Sequence, residues 1–413
     1  MKPVETLPPI SFKFASSFIL LTILAGLGVG VARVLTSLYA VHIEANELQL
    51  GLIAAAQSFG LLLMALPVGV LVQRFGSFRI FALGSVIAAV LYSLLTFYSN
   101  AWFLLVITAL VSFALPMRFV SIHTVFLTHL KQLGAAKAGW FRGSHMMGFF
   151  LIAPALAVYF IEHVGYIGTF WMVALIFLSA IVLAPMCFDF HHQAEADQPR
   201  WSWKEVLQPL ALIKTHPQLR TICSLEFMAS MANNYFGFFI VVIAIQTFSF
   251  QEPEAVMLLT LQGLVFVASL FGLGALAEIV GYYKFYLLGL SLISIALLLI
   301  ALSTEALLLW PSSVALGLGL GILHIANFMS FAKVGEQTSM NQISPLLAMV
   351  GPAGGLLGGL LGAAFGHYIG LQAIFLPISL AFMFFTFLIL RSKKFQQFLE
   401  HDSSYISLQR QEP

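Results

Sequence analysis

Long apolar stretches alternate with short polar junctions along almost the whole chain. Twelve stretches reach about 20 residues, the length of helix that spans a bilayer. None shows the every-second-residue alternation typical of a membrane β-barrel strand. The pattern therefore predicts an all-α membrane protein of about twelve transmembrane helices. The predicted spans are residues 16–40, 49–73, 79–99, 101–127, 139–162, 167–187, 218–246, 255–279, 283–303, 308–332, 342–366 and 370–391.

The positions of lysine and arginine test these spans independently. With the N-terminus on the cytoplasmic side, all but two of these residues lie in cytoplasmic segments, whereas the outer loops hold none. Glutamates stand in the outer loops instead. Losing or gaining one span would destroy this segregation. We therefore expect an even number of spans, with both termini cytoplasmic, in the cytoplasmic (inner) membrane.

The composition agrees with lipid as the solvent. Only 9% of residues are charged and mean hydropathy is +0.97, whereas soluble domains carry about 25% charged residues. The chain has no basic run, phosphate-binding loop, histidine-pair metal motif or nucleophile elbow. We therefore predict no cofactor, no metal, no enzymatic activity and no nucleic-acid partner. The expected partners are the bilayer and a small molecule, and the expected state is a monomer.

The only long polar junction covers residues 188–217. It predicts a cytoplasmic linker between an N-terminal bundle of residues 1–187 and a C-terminal bundle of residues 218–392. Residues 393–413 follow as a cytoplasmic tail. The two predicted bundles hold six spans each.

The two halves repeat one loop pattern, which follows the second span and again the eighth. Each copy has a glycine, three small or apolar residues, a polar or acidic residue, two residues, a second glycine, two residues and then a base. A match at equivalent places in both halves indicates an internal repeat. The residues of the two copies are Gly69, Gln73, Arg74, Gly76 and Arg79, and Gly274, Glu278, Gly281 and Lys284.

This repeated loop and the six-plus-six layout resemble the major facilitator superfamily. Its loop signature runs glycine, three residues, aspartate, arginine, any residue, glycine and then bases. The chain departs from it at Gln73, where the family has aspartate, and at Ile279, where arginine is usual. The resemblance implies two pseudo-symmetric six-helix bundles, with the loop acting as a gate latch.

The resemblance also implies a secondary active transporter that works by alternating access around a site at the bilayer midplane. The run from Gly351 and Pro352 to Gly362 looks like the glycine- and proline-rich signature of exporters in the family. It favours efflux over uptake. Uptake of a similar solute, a transport-inactive receptor and an intramembrane enzyme are the alternatives.

Ionisable residues inside predicted spans mark functional candidates because burying them in hydrocarbon is costly. In the first half these are Arg33, which shares a helix face with Gly30 and Ser37, and Arg118, which follows Pro116. The alternatives are that Arg33 extends to the headgroups and that Arg118 makes a structural ion pair or carbonyl contact.

In the second half, Glu226 aligns with Asn233 at helical spacing. This polar stripe predicts a cavity wall, although helix–helix hydrogen bonding is the alternative. His324 is either a ligand or a satisfied buried histidine. The other predicted substrate-binding residues are Gln57, Asn234, Tyr235, Gln262 and Asn327.

Charge balance narrows the expected substrate. The first half presents two arginines and no carboxylate within its spans, and an unpaired guanidinium is costly there. Glu226, the substrate or both should neutralise it. Because a guanidinium fork suits carboxylate or phosphate, we expect an organic anion such as a carboxylate metabolite or siderophore. If transport is proton-coupled, Glu226 is the first candidate for the proton carrier and His324 the second.

Overall fold

All regular structure in the described part of the computed structural model, residues 12–133, 143–188, 211–337 and 340–400, is helical. Helices satisfy all their backbone groups internally, as hydrocarbon requires. The first half contains α1 (Phe12–His42), α2 (Glu47–Met64), α3 (Pro67–Phe75), α4 (Ser77–Leu94), α5 (Ala101–Leu133) and α6 (Ala153–Leu183). The second contains α7 (Pro217–Gln246), α8 (Glu252–Gly272), α9 (Gly274–Val280), α10 (Tyr282–Leu302), α11 (Leu309–Gln337), α12 (Met340–Ile369), α13 (Phe375–Arg391) and α14 (Lys393–Glu400).

The described residues contain ten helical segments long and apolar enough to cross a membrane, or eleven if the bent pair α13 and α14 is one span. The predicted fifth and sixth spans share one segment, Gly143–Met186, of 44 residues. Gly165 interrupts it with φ 69°. One crossing takes about 20 residues, so this segment far exceeds a single crossing. The helical membrane fold is confirmed, and the count of twelve stays a prediction.

The predicted division into two bundles also stays a prediction, because most of the segment 188–217 lies outside the described residues. The two halves contact each other along α2 and α12, along α1 and α7, and between α6 and α8. At the end opposite Phe12, the Tyr166 hydroxyl donates to Glu252 Oε1 at 2.5 Å. Ser37 Oγ donates to the carbonyl of Phe238 at 2.9 Å. These bonds join the halves at and beyond the middle of α1.

Glycines bring α12 into close contact with its neighbours. A Cβ added to Gly359 would overlap the backbone of Ala55 on α2, and one added to Gly354 would overlap the carbonyl of Phe227 on α7. Small residues let membrane helices approach closely where the hydrophobic effect does not drive association. The glycine run of α12 is therefore a packing surface between α2 and α7.

The repeated loop has the same backbone conformation in both halves. Gly76 ends α3 and starts α4 with φ 86° and ψ 146°, and Gly281 ends α9 and starts α10 with φ 89° and ψ 139°. L-residues with a side chain rarely adopt such positive φ values. The shared conformation supports the internal repeat. Gln73, Arg74, Arg79 and Lys284 are exposed, while the side chain of Glu278 lies outside the described part.

We expect Gly281→Ala to lower the free energy of unfolding by about 1–2 kcal/mol, because alanine resists this left-handed conformation. Gly274→Ala is the matched control. It lies in α9, and an added Cβ at either glycine would meet no atom within 4 Å. Thermal unfolding in detergent should show a loss of stability for Gly281→Ala alone. An equal loss in both variants would contradict the backbone explanation.

The first eight residues of the predicted tail form α14, which bends 76° from α13. Phe395 and Leu399 are buried on one face of α14. The Phe395 ring lies 5.6 Å from the ring of Tyr286 on α10. Helix α14 therefore packs back on the bundle at the end where α10 begins.

Candidate functional site

Arg33 on α1 extends from the first half toward the second. Its Nη2 donates to the carbonyl of Asn234 on α7 at 3.4 Å, and its Cζ lies 5.7 Å from the Phe149 ring centroid. Its Nε is buried and has no hydrogen-bond partner among the described residues. A guanidinium has five N–H donors, so one long hydrogen bond leaves most of its capacity unused.

Arg33 lines a small cavity between the halves that also contains an amide pair. Gln262 of α8 donates through Nε2 to Asn233 Oδ1 of α7 at 3.4 Å. The cavity volume is about 30 Å³, room for one or two water molecules. The remaining walls are apolar or glycine, from Gly30, Val34, Phe149, Phe150, Pro154, Gly237 and Leu259.

Two local features place these groups. A π-helical turn, Met147–Ile152, carries Phe149 and Phe150 into the cavity wall, and such turns are frequent at functional sites. On α7, a Cβ at Gly237 would lie against Arg33 Nη2. Glycine at this position therefore makes room for the guanidinium.

A second polar cluster, formed by Glu226, Tyr286, Asn327 and Ser330, lies nearer the end where α7 begins. Asn327 Nδ2 donates to Glu226 Oε2 at 2.8 Å. The Tyr286 hydroxyl donates to Asn327 Oδ1 at 2.9 Å and lies 3.0 Å from Ser330 Oγ. The bond from Tyr286 orients the amide so that its N–H group faces the carboxylate.

The second cluster is separate from the Arg33 cavity. Asn233 lies seven positions after Glu226 on α7, which is roughly 10 Å of helix rise. Within the described ranges, no carboxylate forms an ion pair with Arg33. The sequence left open whether Glu226, the substrate or both neutralise the arginine, and in this structure Glu226 bonds to Asn327 instead.

Arg118 lies inside the first half, away from this cavity. It is 2% exposed, and its Cζ lies 4.0 Å from the Phe177 ring centroid and 5.4 Å from that of Phe81. None of its guanidinium nitrogens has a hydrogen-bond partner in the described part of the chain. Aromatic faces are the contacts that stabilise this cation, and its predicted role with substrate stays a prediction.

The other predicted residues are dispersed. Tyr235 is fully buried, and its hydroxyl donates to the carbonyl of Leu371 at 2.7 Å, so it links α7 to the turn between α12 and α13. The Asn234 amide donates to the carbonyl of Ser230 at 2.8 Å. The His324 ring lies 6.0 Å from that of Phe266, and Gln57 is half-buried on α2.

Of the predicted substrate-binding residues, the structure brings Arg33, Asn233 and Gln262 together around one cavity. Asn327 lies outside this cavity and donates a hydrogen bond to Glu226. Phe149 and Phe150 were not predicted from the sequence, because no periodic signal singles out two of 39 phenylalanines.

The model of the Major Facilitator Superfamily matches residues 18–225, just over half of the chain. The chain belongs to the major facilitator superfamily. The proposed resemblance is thereby confirmed, and transport of a solute across a membrane is the function that the family supports. No curated protein sequence matches the chain.

Solved structures of transporters share this superfamily fold. The nucleoside transporter NupG aligns with TM-score 0.74 and 14% identity over 92% of this chain and 100% of its own. The human organic anion transporter MFSD10 aligns with TM-score 0.64 and 16% identity over 92% of this chain and 100% of its own. A POT family transporter in complex with 5-aminolevulinic acid aligns with TM-score 0.74 and 12% identity over 93% of this chain and 97% of its own. At these identities the likeness shows the fold alone.

Proposed function

We propose that this member of the major facilitator superfamily carries a small organic anion across the cytoplasmic membrane by alternating access. Arg33 is the anion-binding group, and the cavity between α1, α7 and α8 is the binding site. The observation that carries the proposal is the guanidinium of Arg33, which lies between the halves with a buried, unpartnered Nε. A bound carboxylate would supply the missing acceptors and the missing charge.

The apolar surroundings strengthen this argument. A cation in a weakly polar site needs a counter-charge, and Glu226 is bonded to Asn327 rather than to Arg33. An anionic substrate would stabilise the site when it binds. Binding from either side of the membrane, followed by rocking of the halves, then gives net transport.

Glu226 is the proposed proton carrier. It is a partly exposed carboxylate within a span, and Asn327 donates to it. Its distance along α7 from Asn233 in the Arg33 cavity, roughly 10 Å of helix rise, lets substrate and proton occupy different groups at the same time. The glycine run that favoured export packs against α2 and α7. This packing accounts for the glycines without reference to the direction of transport. Efflux stays a prediction from the sequence, with uptake as its alternative.

Counterflow in proteoliposomes tests the carrier function. Vesicles preloaded with an unlabelled carboxylate should transiently accumulate the same labelled carboxylate from outside. Liposomes without the protein are the control. A receptor without transport activity would bind the carboxylate, as shown by a thermal shift, and give no counterflow. That result would overturn the proposal.

Gly237→Ala should weaken anion binding by about tenfold, equivalent to about 1.4 kcal/mol. The new Cβ would displace the Arg33 guanidinium from its position against α7. Gly351→Ala is the control, since a Cβ there would make only an ordinary contact, 3.4 Å from Ser230 Oγ. Titration of the purified variants with the transported anion measures the effect. Equal affinity in Gly237→Ala and wild type would contradict the proposed position of the anion.

A further inference from the structure

We infer that the substrate is a monocarboxylate with an apolar, preferably aromatic, body. This inference rests on the proposed function and narrows its substrate class. It follows from the charges, amides and walls of the Arg33 cavity. Each of these restricts a different part of the substrate.

Charge restricts the number of carboxylates to one. Arg33 is the only ionisable residue among the described residues that line the cavity. The facing side chains on α7 and α8 are the neutral amides Asn233 and Gln262. One guanidinium compensates one carboxylate, whereas a second carboxylate would enter a weakly polar site without a counter-charge. Citrate-like and siderophore-like polyanions are therefore excluded by this inference.

The amide pair can form hydrogen bonds with one neutral polar group of the substrate. Gln262 Nε2 bonds to Asn233 Oδ1, which leaves Asn233 Nδ2 as a donor and Gln262 Oε1 as an acceptor. These atoms can bind a hydroxyl, carbonyl or amide of the substrate. They cannot neutralise a charge.

The walls favour an apolar body. Phe149 and Phe150 pack edge to face with ring centroids 4.6 Å apart, and the Phe149 ring lies near the guanidinium. Val34 and Leu259 close other sides of the cavity. The cavity of about 30 Å³ holds only one or two waters, so a substrate enters when the halves move apart. A carboxylate on Arg33 then places the attached carbon skeleton among these side chains. Burial of that skeleton stabilises the complex in proportion to its apolar area, and a flat ring also stacks on Phe149.

Four probes separate the contributions of charge and body: phenylacetate, its neutral amide phenylacetamide, the dicarboxylate phenylsuccinate, and acetate. Thermal shift and binding titration with the purified wild-type protein give the affinities. We expect phenylacetate to bind at least about tenfold more tightly than each of the other three. Competition with labelled phenylacetate in counterflow should give the same order.

The outcomes distinguish this inference from the proposed function. Tighter binding of phenylsuccinate overturns the single-carboxylate inference and leaves an organic-anion carrier. Equal or tighter binding of acetate overturns the apolar body. Equal binding of phenylacetamide overturns both the inference and the anion proposal. Failure of all four probes to bind overturns the inference, since phenylacetate carries every feature it requires.

A gain of function provides a second test. Gln262→Lys adds one cation to the cavity, so preference should move from phenylacetate toward phenylsuccinate by about tenfold or more. Gln262→Leu, which removes the amide without adding charge, is the matched control and should keep the preference for phenylacetate. An unchanged preference in a folded Gln262→Lys protein overturns the charge argument. If that variant does not fold, the four probes on wild type decide.

Discussion

Replacing Arg33 with alanine is expected to reduce affinity for the anionic substrate about 100-fold or more. A carboxylate on a guanidinium fork forms charge-assisted hydrogen bonds of about 1.5–3 kcal/mol each, and loss of two such bonds corresponds to at least this factor. Transport at low substrate concentration should fall in parallel. Binding titration in detergent and counterflow in proteoliposomes measure the two effects.

Two control variants locate the cause. Arg33→Lys retains the charge without the planar fork and should give an intermediate loss of roughly tenfold. Arg118→Leu removes the other intramembrane arginine, which lies between aromatic rings outside the cavity, and should leave the affinity unchanged. Wild-type transport by Arg33→Ala would refute the anion site. A loss of affinity confined to Arg118→Leu would instead support the substrate-binding role predicted for Arg118 from the sequence.

Glu226→Gln is expected to abolish accumulation driven by a pH gradient while leaving counterflow intact. Glutamine has nearly the same shape, and its carbonyl can still accept the hydrogen bond from Asn327, but it cannot carry a proton. With one proton per substrate, each unit of pH difference is worth 1.36 kcal/mol and supports about tenfold accumulation. The accumulation ratio of the variant should therefore fall to about one.

Glu254→Gln provides the matched control for this experiment. Glu254 is exposed in the first turn of α8, where glutamine also suits the capping box. This variant should accumulate substrate like the wild type. Each variant is reconstituted separately into vesicles of the same lipid composition, and accumulation is measured under the same imposed pH gradient. Full accumulation by Glu226→Gln would exclude Glu226 as the proton carrier.

The helical fold could be predicted because the solvent imposes strong constraints. Apolar stretches of spanning length and the segregation of charge each constrain the fold, and they agree. The repeated loop could also be predicted, since Gly76 and Gly281 take a backbone conformation that favours glycine. Gly165, where the chain turns within a continuous apolar segment, lies in the junction predicted between the fifth and sixth spans.

The site was harder to predict because helical spacing shows which residues share a face but not what that face meets. Arg33 and Arg118 look similar in sequence, yet one extends between the halves and the other into its own bundle. Asn233 lines the cavity, whereas Tyr235, two residues later, faces away from it toward Leu371. Only the packing of neighbouring helices separates these cases. The π-helical turn that positions Phe149 likewise has no periodic signature.

The packing of α14 has a consequence for handling the protein. Phe395 contacts Tyr286, which orients Asn327 toward Glu226, so the last helix shields the hydrogen-bonded chain that ends at the carboxylate. Truncation before Lys393 would expose the Tyr286 ring to water at the bundle surface. An affinity tag is therefore best fused beyond residue 400, with a linker long enough to keep Phe395 and Leu399 seated.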